Sequence, residues 1–306
     1  LEDILDRYGH RLPEDLLAEP HNPEWLELTK SLTIRFIRTQ RLLTDTYQAR
    51  FAGYQRKRPT KHAVEIYAQE LAEYIETKLA EYAARSQSLD RTFPKRLLEQ
   101  NTAPQLTANE LREKLAELEK KRLRFIAAGL LDASEDTSEI PEQIREGDIE
   151  QDTKGVLAVY VQDVAQKLGV LDDIADKIDL FQTIVNKRFL YKKMKISQKN
   201  GFSFTDFQGN RLDSTDLSSG EQHELIMLYE FLFKAEPGTL FLIDEPEISL
   251  HVAWQSEFLK DLQAISKRTA IDFLIATHSP DIISNRWDVT VQLQGPDHLN
   301  ETVSHA

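Results

Sequence analysis

The stretch TLFLIDEPEISLH, Thr239 to His251, decides the fold. Its first five residues are apolar or β-branched without polar alternation, and then the chain turns abruptly to two acids and a proline. A short, continuously apolar run of this kind reads as a strand of a covered parallel sheet, not as a strand with one wet face. The neighbouring segments keep the pattern. A helix is read from Ser219 to Phe233, the strand at Thr239 to Ile243, a helix from Val252 to Arg268, a strand at Phe273 to Thr277 and another at Val289 to Leu293. Helices alternating with short strands predict an α/β fold with a parallel-rich sheet flanked by helices. In such sheets ligands sit at the carboxyl ends of the strands. One strand here ends in Asp244-Glu245 and another in His278.

Each strand end is ambiguous alone. Two carboxylates at a sheet mouth suit Mg²⁺ held through water and an attacking water polarised beside it, yet acids also follow strands because the loop is solvated. The segment LSSGEQHELIMLYE, Leu217 to Glu230, has two readings as well. Ser218, Ser219 and Gly220 at a helix start offer unpaired N–H groups to an anion. Equally, Ser218 or Ser219 is a plain N-cap with Glu221 in the first turn.

Upstream, SLTIRFIRTQRLL alternates Leu32, Ile34 and Phe36 as a half-buried strand does, within a Pro-broken zone from Leu1 to about residue 58. Residues 59–188 read as helical. Ile66, Tyr67, Leu71, Tyr74 and Ile75 follow a helix face, and Thr107-x-x-Glu110 is a capping box opening a second helix that ends near Gly129. Between Asp132 and Asp152, nine acids against one arginine mark an exposed linker. A third helical stretch runs from Val156 to Phe189. Strand-like Phe189 to Ile196 and Phe202 to Phe204 flank Asn200-Gly201, a hairpin signal, and open a final unit over residues 189–306.

Composition bounds the function. The 306 residues, 41% hydrophobic and 29% charged, suffice for about two cores. No apolar run approaches the roughly 18 residues of a membrane span, so no membrane partner is expected. With no cysteine, disulfides, thiolate metal sites and cysteine nucleophiles are excluded, which suits a cytoplasmic chain. A net charge of −13 excludes a uniformly basic nucleic-acid binder and leaves only local basic faces. YQRKRPTK, Tyr54 to Lys61, and NKRFLYKKMKISQK, Asn186 to Lys199, are such candidates for DNA or RNA, or else solvated faces.

Taken together, LSSGEQ, the strand ending in DEP, SLH at Ser249 to His251, and a strand ending in His278 resemble an ABC-type ATPase head of the branch that includes the SMC, RecF and overcoming-lysogenization-defect proteins. The resemblance implies a P-loop NTPase head with a large α-helical insertion, and ATP with Mg²⁺ as ligands. By that resemblance Asp244 orders Mg²⁺, Glu245 is the general base, and His278 contacts the γ-phosphate. Ser218, Ser219, Gly220 and Glu221 form the signature, addressed to a nucleotide on a second copy. Ser249, Leu250 and His251 form the D-loop, and Gln40 is either the Q-loop glutamine or a surface residue. A homodimer, or a higher oligomer of dimers, is thereby implied. Two departures stand out: Ser219 replaces the first signature glycine, and His251 stands where many relatives have aspartate. No glycine in the chain is followed by lysine, so ATPase activity is conditional on a phosphate-cradling G-x-x-x-x-G-K-S/T loop in residues preceding Leu1, and without one the expectation is a degenerate scaffold.

The wording of these motifs is also similar to anti-phage ATPases of the Septu type and its retron-linked forms, which implies a separate HNH-type nuclease chain. The expected role is then a nucleotide-gated dimer in DNA repair or phage defence. The competing expectation is a slow ATP sensor that restrains a nuclease. A transporter motor fits poorly with the long insertion.

Overall fold

The structure is a computed structural model that describes residues 33–37, 63–99, 106–132, 151–213, 216–248 and 250–292. Strand β1 (Thr33–Ile37) lies in parallel beside β5 (Thr239–Asp244), and β5 beside β6 (Asp272–Ala276), in the order β1-β5-β6. Ile34 stands opposite Leu240 and Leu242 opposite Leu274, so residues two hundred positions apart share one sheet. The long crossover between β1 and β5 is what parallel pairing requires.

That crossover carries the helices. These are α1 (Ala63–Glu99), α2 (Ala108–Ala127), α3 (Gln151–Gly169) and α4 (Asp172–Arg188). The Thr107–Glu110 capping box forms as read, with Glu110 N–H on Thr107 Oγ1 at 3.3 Å and Thr107 N–H on the Glu110 carboxylate at 2.8 Å. The third helical stretch is two helices, broken at Val170 and Leu171, where each N–H turns back onto the carbonyl three residues earlier.

A second, antiparallel sheet follows: β2 (Lys192–Ser197), β3 (Gly201–Asp206) and β4 (Arg211–Leu212). The hairpin turns at Asn200-Gly201 as expected. Gly201 has φ +61°, and a Cβ there would fall 1.8 Å from the carbonyl oxygen of Ala68, so this position admits only glycine while α1 packs so close. Strand β2 begins at Lys192 and not at Phe189. Phe189 closes α4, its N–H on Val185 O at 2.8 Å, and Tyr191 has φ +64°, outside any pleat.

Helix α5 (Ser219–Tyr229) continues as a π-helical turn over Glu230–Lys234. Helix α6 (Val252–Thr269) and the short α7 (Pro280–Ile283) complete the order. The expected strand from Val289 to Leu293 is a correction. Trp287–Val289 is a 3₁₀ turn and 290–292 have no regular structure, while Leu293 lies outside the described residues. Arg286 clasps Asp288 through two hydrogen bonds of 2.7 and 2.8 Å, holding a turn where a strand would have to start.

One apolar core joins the layers. Phe231, Phe241 and Phe273 meet edge-to-face and stacked between α5 and the parallel sheet, with centroids 4.8 to 5.9 Å apart. Tyr67 of α1 stacks on Tyr229, and Phe181 of α4 meets Phe202 of β3. The opposite face of the parallel sheet is the more open one among the described residues. Ile34, Phe36 and Leu274 there are 41%, 36% and 63% exposed, whereas Ile37 on the other face is buried.

Candidate functional site

Strand β5 is pinned by Phe241 and Ile243, both buried, and delivers Asp244 at its carboxyl end, exposed. The next residue breaks a backbone rule. Glu245 has φ +45°, a left-handed conformation that costs a residue with a Cβ about 1–2 kcal/mol. Its N–H donates to Ala276 O at 2.9 Å, so the β5–β6 ladder over-determines the strained residue. Strain held in this way clusters at functional sites.

His278, two residues beyond β6, lies against the same edge, with Nε2 4.0 Å from Glu245 Oε1. Its side chain is 92% exposed. A third carboxylate, which the sequence reading passed over, sets this approach. Glu247 accepts hydrogen bonds from the Thr277 hydroxyl at 2.7 Å and from the His278 N–H at 2.9 Å. Burial disfavours its charge, yet these donors hold the carboxyl below the ordinary carboxylate range. Gln255 of α6 extends the clasp, its amide donating to Glu247 O and Leu250 O while its oxygen accepts from Ser279. The signal in the sequence was Thr277 immediately before His278 with Glu247 two residues beyond Glu245, a pairing visible only once β5 and β6 are neighbours.

The LSSGEQ segment resolves at the start of α5. Ser218 is the N-cap; its Oγ takes Glu221 N–H at 3.3 Å, and its own N–H donates to the Glu221 carboxylate at 2.7 Å. Glu221 is also paired with Lys192 of β2 at 2.6 Å. Burial pushes against this charge, but Lys192 and Ser218 hold the Glu221 carboxyl below its usual range. The Ser219 and Gly220 amides of the first turn have no partner among the described residues, which leaves two donors pointing out of a positively polarised helix end.

Leu250 is buried and His251 exposed at the start of α6. The Ala253 N–H donates to His251 Nδ1 at 3.2 Å, so the histidine performs the N-cap duty an aspartate would. A cavity of about 550 Å³ is lined by Ser218, Gly220 and Glu221 on one side and Ile248, Leu250 and His251 on the other. Asp244, Glu245 and His278 are not among its lining residues. The predicted residues are thus gathered into two groups, a carboxylate–histidine edge and a signature–His251 cavity. Gln40 and Ser249 lie outside the described residues.

Arg188 at the end of α4 also lines the cavity and pairs with Glu224 of α5 and Asp261 of α6. Burial pushes the Arg188 guanidinium below its usual range against the pull of Asp261, and burial likewise raises Asp261.

The family model described as AAA domain, putative AbiEii toxin, Type IV TA system matches residues 30–284, from just before β1 to just past α7. The chain belongs to this family, AAA_21. It carries an AAA-type P-loop ATPase domain, and both groups of site residues fall inside the matched span. No curated protein matches the chain. Among solved structures, the Smc head domain with an extended coiled coil, bound to the C-terminal domain of ScpA, from Pyrococcus furiosus, is similar at 13% identity and a TM-score of 0.29. The match covers 72% of this chain and 51% of that one, so the AAA_21 chain spans about half its length. Among the described residues no helix is long and apolar enough to cross a membrane.

Proposed function

We propose that this AAA_21 chain is an ATP-hydrolysing head that works as a nucleotide-gated dimer and controls a partner nuclease in phage defence or DNA repair. The observation that carries the reading is the edge where Glu245, strained at φ +45° and tied to Ala276, faces His278 across neighbouring parallel strands. A conformation that costs stability persists here because two strand ends hold it, which is the behaviour of a residue selected for position.

The donor set fits Mg²⁺ bound chiefly by nucleotide. Among the described residues no group of three or more His, Asp or Glu could cage a metal, and Mg²⁺ characteristically takes one or two carboxylates together with substrate phosphates. Asp244 would hold it through water. When bound, the ion neutralises charge on the phosphates. Glu245 would accept a proton from, and align, the attacking water, and His278 would donate to the terminal phosphate. Glu247 keeps the His278 backbone in place.

The division of the site supports the dimer. Ser218 and Gly220 open onto a cavity that Asp244, Glu245 and His278 do not line, so a phosphate on this chain's own carboxylate edge is not the one these donors address. A second copy supplies it. The decisive experiment measures steady-state ATP turnover and ATP-dependent dimerisation of the full-length protein, with Glu245→Gln as control. Turnover should fall at least about 100-fold in the variant while ATP-induced dimers accumulate. Equal turnover in both proteins refutes the catalytic assignment; turnover absent from both, with dimers still forming on ATP, supports the sensor reading instead.

A further inference from the structure

The basic run Asn186 to Lys199 divides once it is folded. Arg188 is buried against Glu224 and Asp261, Lys187 reaches Glu257, and Lys192 reaches Glu221. Lys193 and Lys195 remain, both exposed on β2. The alternation of the strand buries Met194 and Ile196 and turns these lysines to the other face. Across the ladder Lys193 stands opposite Thr205 and Lys195 opposite Ser203, and Thr205 is flanked in turn by Arg211 of β4. Lys199 sits exposed in the hairpin turn. Lys193, Lys195, Lys199 and Arg211 make no ion pair among the described residues. In a chain of net charge −13, a sheet face carrying four unpaired cations and two hydroxyl residues is out of character.

The other end of the hairpin carries two aromatic rings. Tyr191 directly precedes β2 and Phe207 directly follows β3, flanking the Lys192–Asp206 pair, and they are 78% and 77% exposed. Lysines alone would serve to protect the edge strand β2 from pairing with another sheet. Two exposed rings would work against that purpose. Nor does an acid cancel the charge: the Asp206 carboxylate is engaged by the N–H groups of Gln208 and Asn210 at 2.8 Å and by the Asn210 side chain at 2.9 Å.

We propose that the outer face of β2–β3–β4 is a docking surface for single-stranded nucleic acid, whose phosphates meet Lys193, Lys195, Lys199 and Arg211 and whose bases stack on Tyr191 and Phe207. A sheet face with cations for the backbone and rings for unstacked bases meets the physical requirement for holding a single strand, and a duplex keeps its base faces hidden. The surface touches the ATPase site through one residue. Lys192, between Tyr191 and Lys193, carries its ammonium to Glu221 of the signature, so displacement of β2 by a bound strand moves the partner of the α5 cap.

The test is fluorescence anisotropy of labelled oligonucleotides of about 20 residues, as DNA, as RNA and as duplex, titrated with the full chain without nucleotide. Being read without ATP, it can fail while the ATPase reading stands, and the reverse. Four phosphate contacts give a salt slope of about −2.8 on single strands, so affinity should fall roughly 50-fold between about 50 and 200 mM salt. Lys193→Gln with Lys195→Gln should halve the slope, and Phe207→Ala or Tyr191→Gly should each weaken binding about tenfold. All four positions are exposed, so folding is not at stake. Tighter binding of one single strand, DNA or RNA, names the ligand. The proposal is overturned by no binding at the lowest salt, by preference for duplex, or by an unchanged slope in the double variant.

Discussion

Removing Arg188 should cost far more than removing the acid it most deeply meets. The guanidinium lies between Glu224 and Asp261, with side-chain exposures of 4%, 0% and 19% respectively. In Arg188→Met, Glu224 is left as a fully buried carboxylate without its counter-charge. Breaking a buried pair in this way costs about 3–5 kcal/mol, against a total stability of about 5–15 kcal/mol for a domain. In Glu224→Leu the arginine keeps Asp261, so the loss is nearer to that of one charged hydrogen bond, about 1.5–3 kcal/mol. The double variant Arg188→Met/Glu224→Leu removes both deeply buried charges and leaves only Asp261, which still reaches water. It should therefore recover to within about 1–2 kcal/mol of the parent, a coupling of at least about 2.5 kcal/mol. Urea unfolding of the four proteins, followed by circular dichroism, measures the cycle. The reasoning is refuted if Glu224→Leu costs as much as Arg188→Met, or if the two losses simply add.

Three further outcomes are expected. Glu245→Asn relieves a left-handed side-chain conformation and should raise stability by about 1 kcal/mol while abolishing turnover, read as a higher melting temperature with no phosphate release. His251→Ala should lower stability by about 1 kcal/mol through loss of the α6 cap, and His251→Asp should restore it, since aspartate accepts from the same first-turn amides. Glu247 and Glu221 have folded pKa values below their unfolded ones, so their contribution is complete above the ordinary carboxylate pKa of about 4.3 and is lost as pH falls through the depressed values. Melting temperatures measured from about pH 6 downward should fall less steeply for Glu247→Gln than for the parent, and an unaltered slope counts against the Thr277 and His278 hydrogen bonds.

What the sequence disclosed was local. The Thr107–Glu110 box, the Asn200-Gly201 turn and the apolar strand before Asp244 each write their geometry within a few residues, so short-range sterics and capping suffice to read them. The strand expected at Val289 to Leu293 failed because β-branched residues report propensity and not a partner; Arg286 and Asp288 hold a turn first. Strand β1 is half-buried as its alternation suggests, but alternation marks two faces without saying which is covered, and Ile37 is the buried side chain. Arg188, Glu224 and Asp261 were illegible: Asp261 is 73 residues from Arg188, with five elements, β2 to β4, α5 and β5, between them, and nothing in a charged residue's neighbours announces so distant a partner.

The signature segment carries the sharper lesson about reading a helix start. Cap and ligand site were framed as alternatives, but a capping box uses only two of the groups at the end of a helix. Ser218 and Glu221 satisfy each other, while the Ser219 and Gly220 amides stay open. An acid at that position would ordinarily repel a phosphate. Here Lys192 faces Glu221 at 2.6 Å and cancels its charge, so the cap fixes the helix end without closing it to an anion. The pairing also fixes which change separates the two duties. Lys192→Met would leave the Ser218–Glu221 box intact while exposing any approaching phosphate to an uncompensated carboxylate. Affinity for ATP across the dimer should then fall, with a lower melting temperature from the lost ion pair, and an unchanged affinity in the variant counts against the reading.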